Sequence, residues 1–182
     1  GVSTSTITIT GAGIYLWDLD VTTNLQHTFP ADLDVTIQSP AGTVVTLTTD
    51  NGASNDNVFD GTVWDDQANP AGQVPYTTNN GMVTDHAYVN LTVATPLVPE
   101  EALGAFRGED PNGIWTITVS DDLSGDTGTL NAWTLDVFTL PSRYPMTATR
   151  RSNAMAMSAF SLFSNGEADG RALEAEVRPQ RI

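Results

Sequence analysis

The feature that most constrains this chain is a two-residue alternation of apolar and polar positions, with threonine filling most of the polar ones. Ile7 and Ile9 alternate with Thr6, Thr8 and Thr10, and Leu33, Val35 and Ile37 alternate with Asp32, Asp34 and Thr36. Further on, Trp115, Ile117 and Val119 alternate with Thr116, Thr118 and Ser120, and Trp133, Leu135 and Val137 with Thr134 and Asp136. Successive strand side chains point to opposite faces, so each run buries one face and wets the other. β-Branched residues suit that extended backbone. In residues 43–49, Val45 and Leu47 alternate with Thr46 and Thr48, and only Val44 falls out of step.

Turn formers separate the runs: Ser39-Pro40-Ala41-Gly42, Asp50-Asn51-Gly52, Asn79-Asn80-Gly81, Asp110-Pro111-Asn112-Gly113 and Ser124-Gly125-Asp126. No segment before residue 140 carries a helical period. Many short strands with regular turns predict an all-β fold, a jelly-roll-like β-sandwich of two antiparallel sheets. After Leu140-Pro141 the texture shifts from Thr and Asp to Arg, Ala, Met and Glu. This divides the chain into a sandwich domain, 1–140, and a tail or linker, 141–182. In that tail NAMAMSAFSLF could form a short helix or an added strand, and GRALEAEVRPQRI another.

Charge sharpens the division. The chain has 22 acidic residues and 7 basic ones. Six of the seven, all arginines, fall after residue 140, and Arg107 alone falls before it. A domain so acidic repels phosphate backbones, which excludes nucleic acid as a partner. No stretch approaches the ~20 apolar residues of a membrane span. With no cysteine, disulfides, thiolate metal sites and cysteine nucleophiles are excluded.

Catalytic chemistry is sparse. Triad hydrolysis needs a nucleophile, a base and a group orienting that base. Only His27 and His86 are available as imidazole bases, and no nucleophile-elbow motif accompanies them. His27, in a predicted strand leading to the Asp32 turn, reads as a structural histidine, and His86 as a loop residue beside Asp85. The carboxylate doublets Asp65/Asp66, Glu100/Glu101, Glu109/Asp110 and Asp121/Asp122 could formally serve glycoside hydrolysis. Adjacent strand residues point apart, however, which argues against such pairs cooperating. Tyr15, Trp17, Trp64, Tyr76 and Tyr88 are the aromatics that a carbohydrate platform would use.

Calcium is the best-supported ligand, because it takes about six to eight oxygens, several from carboxylates. Asp32 and Asp34, read as two apart on one strand, share a face in this reading. Asp56, Asp60, Asp65 and Asp66 lie in the following loops, which a sandwich could bring near that strand. These six are the candidate metal ligands.

Three blocks carry a family resemblance: DLDVTIQSPAGTVVTL at 32–47, SNDNVFDGTVWDDQA at 54–68, and LVPEEALGAFRGEDPNGIWTITVSDDLSGDTGTLNAWTLDV at 97–137. Together they resemble the P domain (P/Homo B domain) that follows the subtilisin-like catalytic domain in kexin- and furin-type proprotein convertases. The resemblance spans roughly residues 5–138 and is loose over 69–96. It implies a non-catalytic accessory module of a secreted or cell-surface subtilisin-like serine protease. Such a module packs on the catalytic domain of the same polypeptide and supports its folding, stability and calcium or pH response. The alternative is a calcium-dependent carbohydrate-binding or cell-surface adhesion module.

Overall fold

In the computed structural model, residues 1–68 and 81–140 are described, together with the backbone of 171–174 and 180–181. Each alternating run forms a strand: β1 (Val2–Ile9), β3 (Leu33–Gln38), β4 (Val44–Thr49), β6 (Gly113–Asp121) and β7 (Gly128–Leu140). Two further long or buried strands join them, β2 (Tyr15–His27) and β5 (Phe59–Trp64). Short strands β8 (Arg171–Glu174) and β9 (Gln180–Arg181) both pair with β7.

The strands form two sheets, in the orders β1-β6-β3-β4 and β5-β2-β7-β8. Every strand pairing is antiparallel. The predicted sandwich is therefore observed. Its core lies between the sheets, where Ile7, Ile9, Leu33, Val35, Ile37, Ile117 and Val119 from one meet Leu16, Leu19, Val21, Leu25, Leu135 and Val137 from the other. Val45 and Leu47 point inward while Val44 is half exposed, as the broken alternation of that run predicts.

Trp115 and Trp133 are both buried, on the two facing sheets. Each indole N–H is satisfied, by the Pro111 carbonyl at 2.9 Å and by Ser5 Oγ at 3.0 Å. Gly113 adopts φ +133° directly over Pro40, where a Cβ would come within 2.8 Å of the proline ring. Only glycine meets both demands there.

The ends of the strands define two poles. At one pole Gly1, His27, Asp32, Asp121 and Gly128 come together through the pairings Val2↔Ser120, Leu33↔Asp121 and His27↔Gly128. The opposite pole gathers the 11–16 segment, the 108–113 turn and Leu140, with Leu16 N–H donating to Glu109 O at 2.9 Å and Tyr15 paired to Leu140.

Candidate functional site

The Gly1 pole holds a buried polar group. His27 closes β2 with 1% exposure and Asp121 closes β6 with 7%. The Phe29 N–H donates to His27 Nδ1 at 3.1 Å, which leaves the proton of a neutral ring on Nε2. That Nε2 lies 3.7 Å from Asp121 Oδ2, beyond hydrogen-bond range, and neither it nor Asp121 Oδ1 has a hydrogen-bond partner. Asp32, also buried, sits beside them. Burial pushes its carboxyl above the usual range, and the charges of Asp126, Asp121 and Asp122 push the same way while His27 opposes them.

Asp32 differs from its expected place. It ends a single 3₁₀ turn, Pro30–Asp32, instead of lying on a strand. Pro30 presets that turn, and the Asp32 N–H bonds back to Phe29 O at 3.0 Å, which carries the side chain inside. Asp34 follows on β3 between two inward residues, so it faces outward toward Asp50, Asp122 and Glu100. The two carboxylates therefore do not share a face.

The other four candidates have separate surroundings. The Asp56 N–H donates to Asn90 Oδ1 at 2.6 Å. Asp60 lies on β5 rather than in a loop, and its Oδ2 accepts from Gln26 Nε2 at 2.8 Å. Asp65 Oδ1 accepts the Gln67 N–H at 2.6 Å. Asp66 accepts the N–H groups of Leu103 and Gly104 at 2.8 and 2.7 Å, which caps the 3₁₀ turn Leu103–Phe106. The six do not converge, and among the described residues no three His, Asp or Glu side chains are grouped to hold a metal.

A second cluster, not anticipated from sequence, lies on the outer face of β2 and β7. Asp20 stands directly opposite Asp136, with Asp18 two residues away and Asp65 and Asp66 nearby. Partial burial and then these four charges push the Asp20 carboxyl up to about 7. Only the pairing of β2 with β7 reveals this cluster, since Asp20 and Asp136 are far apart in sequence. Next to it the β2 register shifts between Leu16 and Asp18, leaving Trp17 as the bulged residue. Trp17 is 58% exposed, with the Arg107 guanidinium 5.8 Å from its ring centroid. Arg107 in turn bonds Asp18 at 3.2 Å.

Of the five aromatics considered for sugar stacking, Tyr15 and Trp17 are exposed. Trp64 is fully buried, donating to Thr23 Oγ1 at 3.0 Å, and Tyr88 packs on the core with its hydroxyl on Val83 O. Tyr76 lies outside the described residues. His86 stacks edge-on against Tyr88 at 4.9 Å between centroids. Three carboxylates of the doublets bind backbone: Glu101 accepts from Thr46 N–H, Glu100 from Thr49 N–H, and Asp110 from Asn112 N–H. Those backbone bonds hold Glu101 and Asp110 below the usual carboxylate range.

Residues 16–137, from the first inward residue of β2 to the last of β7, match the proprotein convertase P-domain family. The chain belongs to that family. Two solved structures share 18% and 20% identity with this P domain: a serine protease of Aeromonas sobria and the complex of that protease with a chaperone. Their TM-scores are 0.33 and 0.34. Each alignment covers 74% of this chain and only 17% of the protease chain. No curated protein is matched.

Proposed function

We propose that this P domain is a non-catalytic accessory domain of a secreted subtilisin-like serine protease, packing on the catalytic domain of the same polypeptide and supporting its folding and stability. The family match across both sheets carries this reading. Physically, the function is surface complementarity: the ladder-bonded sandwich offers a rigid face to a neighbour. An upstream domain would join at Gly1, beside the His27, Asp32 and Asp121 group and the exposed side chains of Val2 and Leu123.

Calcium binding belongs to the same proposal. The donor chemistry that supports it is at this pole, where Asp32 is buried among carboxylates and Asp121 Oδ1 lacks a partner. There Asp32 and Asp121 would hold the ion, backbone carbonyls and water supplying further oxygens. Bound calcium would supply the positive charge that offsets their burial. The carbohydrate alternative retains Tyr15 and Trp17 as its exposed aromatics.

The test is to produce the full protease with and without residues 16–137. Loss of soluble, active protease on deletion, and calcium-dependent melting abolished by Asp32→Asn, are the expected results. Undiminished yield, activity and thermal stability after deletion would overturn the accessory role. An unchanged melting temperature in calcium and in EDTA would overturn the ion.

A further inference from the structure

β1 closes one end of its sheet, and its free edge is open. The Gly1 carbonyl accepts the Asp121 N–H at 2.7 Å and the Gly1 amine donates back to the Asp121 carbonyl, so these two form a hydrogen-bonded pair. Bonded pairs alternate along an antiparallel ladder. The register runs unbroken from Val2↔Ser120 to Ile9↔Gly113, so Ser3, Ser5, Ile7 and Ile9 bond β6, while Val2, Thr4, Thr6 and Thr8 turn their N–H and C=O groups away from it. The side chains of those four are exposed, and among the described residues nothing bonds their outward backbone groups.

Two other sheet edges are closed. Along β4, Glu100 and Glu101 donate their N–H groups to the Leu47 and Thr46 carbonyls, and their carboxylates accept from Thr49 and Thr46 N–H. Along β5, Ala94 and Leu97 donate to the Val58 and Val63 carbonyls, and Thr95 Oγ1 accepts from Val63 N–H. β1 has none of the devices that keep an edge from pairing: no charge, no proline and no bulge. Charge identifies what can lie along it. The chain carries a net charge of −15, so two copies repel over most of their surface, yet residues 1–17 and their β6 neighbours 113–120 are uncharged. β1 is also self-complementary. Set antiparallel about Ser5, the edge-facing positions of two copies fall opposite one another, Val2 to Thr8 and Thr4 to Thr6, and every outward N–H and C=O finds a partner.

We infer that the open edge of β1 is a self-association site, where two copies of this chain pair β1 against β1 about a two-fold axis and join their four-stranded sheets into one. Thr4 and Thr6 meet across the seam on its outer face and add side-chain contacts to the ladder. A two-fold pairing uses the edge up, and with the β4 edge closed this sheet stops growing at two copies. A single strand pair is a small interface, so the dimer is reversible and forms at high concentration. The inference does not depend on the accessory role proposed above.

Sedimentation equilibrium of the full chain over a wide concentration range is the test. A monomer–dimer equilibrium is expected, tightening about tenfold between low salt and ~1 M salt as repulsion between the acidic copies is screened. Thr6→Pro removes an N–H that β6 does not use, so the sandwich stays folded. The dimer should weaken about thirtyfold, because the two-fold axis counts the lost bond twice. Thr6→Glu keeps the N–H but sets like charges across the axis. It should weaken the dimer about tenfold at low salt and recover in ~1 M salt, which a folding defect would not do. Amide exchange at Thr4, Thr6 and Thr8 should slow as concentration rises, while Ser5 and Ile7, bonded to β6, stay protected throughout. A monomer at every concentration and salt, or association undiminished in Thr6→Pro, would overturn the proposal. So would growth beyond dimers, which marks head-to-tail stacking. Protection of Thr4, Thr6 and Thr8 in dilute monomer would overturn it too, by showing the edge covered within one chain.

Discussion

The Trp133 indole on β7 donates a hydrogen bond to Ser5 Oγ on β1, 3.0 Å away across the gap between the two sheets. Both residues are buried, and this bond pins opposite layers of the sandwich to one another. Ser5→Ala should leave the indole N–H dry and unpaired, and should destabilise the protein by about 1–3 kcal/mol. Ser5→Thr keeps the hydroxyl and should retain most of the stability. Urea unfolding of the two variants checks this.

Gly128 and His27 make a tighter demand. A Cβ on Gly128 would lie 2.3 Å from the Gln26 carbonyl oxygen and 2.4 Å from His27 Cδ2. One obstacle is backbone and the other a buried ring, so neither yields cheaply. Gly128→Ala should cost about 3 kcal/mol or more, at the upper end for overpacking. The melting temperature is the measurement.

Asp20→Asn should stabilise the protein at high pH. A carboxyl at about 7 when folded, against 3.8 normally, binds protons more tightly in the native state. Its contribution is therefore fully present below the ordinary value and is lost as pH rises toward 7. Asparagine mimics the protonated form at every pH. The variant should match wild type near pH 4 and exceed it by about 1–2 kcal/mol at pH 8, a gain already discounted for solvent screening. Denaturant melts across that range check the crossover.

Asp66→Ala should release the 3₁₀ turn Leu103–Phe106, because both carboxylate oxygens cap its first amides. The loss should be about 1–2 kcal/mol. Amide exchange at Leu103 and Gly104 should accelerate before any change is seen in β6.

The strands with unbroken alternation were legible in the sequence, because one apolar face per strand is all that a sandwich demands. β2 was harder, for two physical reasons. Its alternation is interrupted by the bulged Trp17, and its inward row includes Thr23, which is buried but satisfied by Trp64 and the Phe59 carbonyl. β5 was hidden similarly: Thr62 occupies a buried position by bonding to Val58 O and Ala94 O, so it reads as polar although it packs as core. For the candidate site, residue type was informative and placement was not. Asp32 looks like a strand residue until the turn begun by Pro30 tucks it under His27. Asp20 faces Asp136 only because β2 and β7 pair, a long-range event that no local pattern encodes.

The pole at His27 also sets how the domain would take a load. Gly1 lies there beside Asp121, and β9 brings Gln180 and Arg181 against Leu130 and Thr129, next to the Gly128 that pairs with His27. A pull between these two points would lift β1 from β6 starting at Val2↔Ser120 and working toward Ile9↔Gly113. The sandwich would then open like a zip, one paired position at a time, from the end that carries the buried carboxylates.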